Sequence, residues 1–357
     1  VYFNMEKAAE DSGSVISAVL FGALASTGVL PFSRTQFEQT IERGGVGVKP
    51  SLKAFGAAYA RVAEGDAGKA ESDNKPVDMA TLAPRDPAVA KLIDRVRAEV
   101  PEQAQPIVVE GVRRVLDFQD VDYANLYLDR LKKISRFARP DDVVLVRETG
   151  RYLALWMSYE DAIRVAELKT RASRFDRVHK EVRAADGQIV AINEYMHPRV
   201  EEISEILPFA SVGRWLMRPT WGNKLVKSLT KSGRVIQTSS VRGFIPLYLL
   251  SGFKRWRRRT LRYQAEQQRI ESWLKQIEQA ADAHPALALE IAQCQRLVKG
   301  YGDTHARGLR NHQTGMSALE RNPSTLSPAM LGALRDAALA DEHGSKLEAT
   351  LRQYALV

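Results

Sequence analysis

From Ala88 to Val357 the apolar residues return every three or four positions, and this periodicity confines the region to helices. One stripe is Ile107, Val108, Val112, Val115 and Leu116; a second is Tyr123, Leu126, Tyr127, Leu131 and Ile134. A third runs from Leu153, Trp156 and Met157 to Ile163 and Val165. Long helices are expected again over Tyr263 to Ala283 and Pro285 to Val298, with two or three more over Leu309 to Tyr354. Two stretches break the pattern. Gln188 to Met196 and Arg234 to Val241 are rich in β-branched residues and read as short strands able to pair with each other, in a register the sequence does not fix. The expected class is mainly α, with at most a small sheet.

Residues 12 to 62 read as three helices. The first lies in Ser14 to Phe32 and is stopped by Gly28 and Pro31, with Val15, Ile16, Val19, Leu20, Ala23 and Leu24 expected to face a core. Its serines, threonine and glycines dilute it below a membrane span, so no membrane insertion is expected. The second begins at Ser33, with Gln36 three positions on as in a capping box, and ends at Gly44-Gly45. The third starts at Ser51 and places Leu52, Phe55, Tyr59 and Val62 on one face. Three short helices without a strand cover a sheet better than they pack alone. The chain opens on Val1-Tyr2-Phe3-Asn4 without an initiating Met, so it is expected to start inside a longer domain. Residues 63–87, rich in Gly, Asp, Ala, Pro and Ser, read as a linker. The domain reading is 1–62, linker 63–87, and a helical extension over 88–357.

Function classes narrow by elimination. Cys294 is the single cysteine. It can form no internal disulfide and cannot alone hold an iron–sulfur cluster, which takes several cysteine ligands. Nothing argues for secretion, and a cytoplasmic location is expected. The chain has no phosphate loop, no H-E-x-x-H, no C-x-x-C and no nucleophile elbow. Gly302-Asp303 is followed by Thr304, so the G-D-G of a thiamine diphosphate site is absent. The six histidines show no metal-ligand spacing.

Three positive features remain. The run Phe253 to Arg262, FKRWRRRTLR, sets Arg257, Arg258 and Arg259 beside Trp256. Its arginines either pair with acidic residues elsewhere in the fold, dock an anion or an acidic protein, or touch a nucleic-acid backbone, the reading with least support. Lys299 to Gly308, KGYGDTHARG, is either a turn between helices, with Asp303 or Thr304 as cap, or a ligand corner if Tyr301, Asp303, His305 and Arg307 converge. Trp156 to Asp161 reads as core packing with a hydrogen-bonded Tyr159.

The segment from Ser17 to Pro31 resembles the closing helices of the γ-type catalytic domain of 2-oxoacid:ferredoxin oxidoreductases. That family shows a small polar position, then L-G-A-L, then T-G-L-L-P; here these are Ser17, Phe21-Gly22-Ala23-Leu24, and Thr27 to Pro31. Its later N-L-x-A-F-x-x-G/A-Y is matched by Ser51 to Tyr59, with Ser51, like Ser17, standing where Asn is usual. The stretches Tyr123 to Leu131, Leu153 to Val165, Thr238 to Phe244, Phe253 to Ile270 and Lys299 to Leu309 are similar to the extension fused to that domain in indolepyruvate oxidoreductase β subunits.

The resemblance implies a remnant of an α/β γ-type domain followed by the helical extension, in a hetero-oligomer. It implies a chain that holds no cofactor itself. The partner α subunit would carry thiamine diphosphate, Mg and an iron–sulfur cluster. Coenzyme A would accept the acyl group of an aryl 2-oxoacid, and ferredoxin the electrons. The rival class is a non-enzymatic basic helical scaffold or nucleic-acid binder.

Overall fold

The structure, a computed structural model, describes residues 3–65, 77–140, 142–182, 184–185, 187–196, 199–230, 233–323 and 325–356. Its contacts divide it into two compact units, one ending at Pro76 and the other beginning at Val77. The chain is mainly helical, with one two-stranded antiparallel sheet among the described residues.

The first unit holds α1 (Met5–Ser12), α2 (Ile16–Ser26), α3 (Arg34–Gly44) and α4 (Val48–Ala63). The capping box at Ser33 forms as its spacing requires: Gln36 N donates to Ser33 Oγ, and Ser33 N donates to Gln36 Oε1. Gly45, at φ 70°, ends α3. Two expectations fail. Helix α4 starts at Val48 behind a left-handed Gly47, one turn before Ser51, because Pro50 is harmless in a first turn that needs no backbone donor there. The inward face of α2 is Ala18, Val19, Gly22 and Ala23, whereas Val15, Ile16, Leu20 and Leu24 are exposed. The reason is close approach: a Cβ on Gly22 would overlap the Phe55 carbonyl of α4, so only the small-residue face of α2 fits against it. Helix α4 answers with Ala54, Phe55 and Ala58, and leaves Leu52, Tyr59 and Val62 half-buried. No single described helix is long and apolar enough to cross a membrane; α1 and α2 reach that mark only together, and they meet at a 113° bend.

Of the expected linker, residues 66–76 lie outside the described residues, while Val77, Met79 and Leu82 pack on the core of the second unit. Arg97 donates to the carbonyls of Met79 and Leu82. The second unit continues with α5 (Pro87–Glu99), a short 3-10 turn and α6 (Gln105–Phe118), α7 (Val121–Ser135), α8 (Val144–Met157), α9 (Ala162–Thr170) and α10 (Ala172–Glu181). Strand β1 (Asn193–Met196), α11 (Val200–Glu205), α12 (Ala210–Met217), α13 (Trp221–Thr230) and β2 (Arg234–Gln237) follow. Then come α14 (Val241–Ser251), a 3-10 segment (Gly252–Arg259), α15 (Leu261–Ala281), α16 (Pro285–Gln293), a 3-10 turn (Cys294–Leu297), α17 (Gly302–Arg321), α18 (Pro328–Ala340) and α19 (Ser345–Gln353).

Helix α8 is the axis of this unit and touches α6, α7, α15 and α16. Each expected stripe turns inward: Val108, Val112 and Val115 on α6, Tyr123, Tyr127 and Leu131 on α7, and Leu153, Trp156 and Met157 on α8. Buried tyrosines spend their hydroxyls on backbone carbonyls, Tyr123 on Met157 and Tyr127 on Gly150, both at 3.0 Å. The two expected strands pair antiparallel, Asn193 with Gln237 through Met196 with Arg234. They are shorter than expected, since Ser240 caps α14 by accepting from Gly243 N. The expected helix from Pro285 to Val298 ends early, at Gln293, where the chain tightens into the 3-10 turn.

Candidate functional site

The basic run folds as the 3-10 segment leading into α15, and it separates its arginines. Arg257 is fully buried: Nε donates to Asp161 Oδ2 at 2.9 Å and Nη2 to Asp161 Oδ1 at 3.2 Å. Nη1 donates to the Phe118 carbonyl at 2.7 Å and to Gln119 Oε1 at 2.9 Å, and the guanidinium lies 4.0 Å from the Phe118 ring centroid. The docking role expected of Arg257 is therefore corrected, because a group with no exposed surface cannot meet a partner. Arg258 pairs with Asp120 at 2.6 Å, and Arg259 is exposed and makes no ion pair among the described residues.

The corner from Gly300 does not converge. Tyr301 is exposed and precedes α17, and neither Asp303 nor Thr304 caps the helix. Asp303 pairs with Arg199, Arg307 reaches Glu342 at 3.4 Å, and His305 turns inward to Arg262. Residues two apart on a helix stand about 200° around its axis, so His305 leaves the face that Asp303 and Arg307, one turn apart, share. The ligand-corner reading is withdrawn for all four residues taken as one set.

His305 instead joins a buried charge network that no motif announced. Its hub is Glu266, fully buried on α15, which accepts from Trp156 Nε1 at 2.9 Å and Arg269 Nη1 at 2.8 Å and forms an ion pair with Arg262 Nη2 at 3.1 Å. Arg262 Nη2 also lies 2.9 Å from His305 Nε2; since a guanidinium only donates, that nitrogen accepts and the imidazole is neutral. Burial, with Arg262 beside it, pushes the His305 pKa down to about 4. Tyr159 is buried close by with no partner for its hydroxyl, contrary to the hydrogen bond expected for it. Every charge in this network is engaged and its histidine stays neutral near neutral pH, so it braces α8, α15 and α17 and offers no free acid or base. Among the described residues no group of three His, Cys, Asp or Glu side chains stands together to hold a metal ion. Burial pushes the Cys294 thiol up to about 12, away from the thiolate a cluster or a nucleophile requires.

A cleft of about 900 Å³ opens between α6, α8 and α9. Arg113, Arg114, Arg151, Arg164 and Arg171 line it together with Ile107, Leu116, Leu155 and Leu168. Arg164 and Arg171 share Asp117 and Glu167 at 2.6 to 2.9 Å and, against the pull of burial, hold both carboxyls below the usual carboxylate range. A family model covers residues 104–318, more than half of the chain. The chain belongs to a family of unknown function, DUF6537. The DUF6537 region takes in the cleft, the Glu266 network, the basic run and the corner. No curated protein matches the chain, and no solved structure does. Sequence reading missed the cleft because its arginines come from three separate helices and form no run; the only signal was the density of Arg around Arg113-Arg114.

Proposed function

We propose that this chain is the non-thiamine subunit of an aryl-2-oxoacid:ferredoxin oxidoreductase of the indolepyruvate type. In this reading it completes a site whose thiamine diphosphate, Mg and iron–sulfur cluster belong to a partner α subunit in a cytoplasmic hetero-oligomer. The substrate is oxidatively decarboxylated, with coenzyme A taking the acyl group and ferredoxin the electrons. The observation that carries the reading is the meeting of the two segments that resemble the γ-type domain: Gly22 of the first lies against the backbone of Phe55 of the second. The opposite side of α2 presents Ile16, Leu20 and Leu24 as an exposed apolar row, the kind of face a helix lays on a sheet. The partner must supply the cluster, since Cys294 is the only thiol here and is buried.

Reconstitution tests it. Each subunit is purified alone, its iron and thiamine content measured, and indolepyruvate-dependent dye reduction followed for each and for the mixture. Full activity from the partner alone, or stoichiometric cofactor on this chain alone, refutes the proposal. Within the active complex, Arg258 and Arg259 are the accessible part of the basic run. Replacing both by Gln is expected to raise KM for ferredoxin or for coenzyme A by roughly two- to tenfold at low salt and by less at high salt. Unchanged constants at low ionic strength would leave the pair as solvated surface.

A further inference from the structure

We propose that the cleft between α6, α8 and α9 binds a free α-amino acid with a large apolar side chain, its carboxylate on Arg114 and its ammonium on Glu160. Charge accounting within the cleft leads there. Arg164 and Arg171 are committed to Asp117 and Glu167, Arg151 to Glu148 at 3.4 Å, and Arg113 to Glu110 at 3.8 Å. Two lining charges, Arg114 and Glu160, both exposed at the rim, make no ion pair within 4.0 Å among the described residues, Glu160 and Asp117 attracting Arg114 only from farther off. A lone spare cation would suit a simple anion; a spare cation and a spare anion in one cleft suit a molecule that carries both signs.

The remaining features fit that ligand. A guanidinium binds a carboxylate through two parallel hydrogen bonds. A phosphate would want a second cation away from carboxylates, and each of the other lining arginines has a carboxylate within 4.0 Å. Burial, and the charge of Arg164, pull Arg114 below the usual guanidinium range, so the fold leaves it a cation that an incoming carboxylate relieves. Leu155 and Leu168 are 37% and 39% exposed on the wall, unusual for leucines inside a concave site, and they offer a surface for a hydrocarbon side chain. A volume of about 900 Å³ is that of an organic-ligand site and admits an aromatic side chain.

The inference does not rest on the oxidoreductase reading, and it is tested on the full chain without any partner. Calorimetric titration compares L-phenylalanine and L-leucine with phenethylamine, which lacks the carboxylate, and 3-phenylpropionate, which lacks the ammonium. L-Phenylalanine is expected to bind about tenfold or more tightly than either analogue, each of which forfeits one charge-assisted contact. Arg114→Gln should weaken phenylalanine about tenfold and leave phenethylamine unchanged, and Glu160→Gln should do the converse with 3-phenylpropionate. Neither substitution removes an ion pair of the fold, so thermal melting should match the parent and keep the comparison clean. Absence of binding by both amino acids at millimolar concentration overturns the proposal. So does 3-phenylpropionate binding as tightly as phenylalanine, or an Arg114→Gln chain that binds phenylalanine like the parent.

Discussion

In a 3-10 segment side chains three apart eclipse, so Lys254 and Arg257 leave the same side of the basic run and both reach toward the end of α6: Lys254 Nζ donates to the Asp117 carbonyl and Arg257 Nη1 to that of Phe118. Arg255 and Arg258, each one position further on and likewise three apart, face outward. One run therefore contains a strut and a surface, and substitution should tell them apart. Arg257→Met leaves Asp161 buried with an uncompensated charge and is expected to cost about 3–5 kcal/mol in chemical denaturation. Arg258→Gln removes a half-exposed pair and should cost no more than about 1 kcal/mol. Equal losses would contradict the division. A second residue-level test concerns His312, which is buried edge-on to Trp156 at 5.3 Å between ring centroids, its Nε2 without a partner. Burial pushes its pKa down to about 4 from an ordinary 6.5. In that window the unfolded chain binds the proton and the folded chain does not, so stability is lost as pH falls from about 6.5 toward about 4. The contribution is about 2 kcal/mol between about pH 7 and about pH 5. His312→Gln should flatten the pH dependence of the unfolding free energy by that amount; an unchanged slope would place the proton elsewhere.

Between elements, the packing of α2 on α4 depends on Gly22. Alanine is the better helix former by about 1 kcal/mol, yet its methyl has no room beside the Phe55 carbonyl. Gly22→Ala is therefore expected to destabilise the first unit by roughly 1–3 kcal/mol, whereas Leu20→Ser, on the exposed side, should be close to neutral in the chain alone. Thermal melts of the two variants check this, and the reverse order would mean that α2 buries its other face. The same helix shows what sequence can and cannot carry. Local signals were legible: the Ser33–Gln36 box, Gly45 as a stop, and the two β-branched runs that became β1 and β2. Each depends on residues within a few positions of one another. The face of α2 was not legible, because hydrophobicity alone favours the bulky side, and only the approach of α4, some thirty residues away, selects the small one. The register of β1 on β2, Glu194 facing Ile236, was likewise hidden, since both runs are short and far apart in the chain. The expected corner failed for a reason the sequence did contain: on α17 His305 points away from the face that Asp303 and Arg307 share. The cleft failed to show because Arg114, Arg151 and Arg164 become neighbours only once α6, α8 and α9 pack.

For the whole molecule, the decisive contrast is between the two cores. That of the first unit is built largely from alanine, with Ala9, Ala18, Ala23, Ala54 and Ala58 around Val19 and Phe3, joined by Phe37 and Phe55. That of the second unit is contiguous from α5 to the C-terminal helices and contains Trp156 and Trp273. Buried apolar area sets both stability and denaturant sensitivity, so a small alanine-rich core gives way first and with a shallower slope. The chain offers a clean means of seeing this, since all five tryptophans, Trp156, Trp215, Trp221, Trp256 and Trp273, fall in the second unit. Tryptophan fluorescence thus follows that unit alone, while far-ultraviolet circular dichroism follows the helices of both. In urea, dichroism is expected to show an early, shallow loss that fluorescence does not report, then a steeper loss at which both signals move together. Gly22→Ala should shift only the early step, and Arg257→Met only the late one. Coincident transitions by the two probes would mean that the chain unfolds as one cooperative body. In that case the Gly22→Ala penalty would be felt at the tryptophans as well.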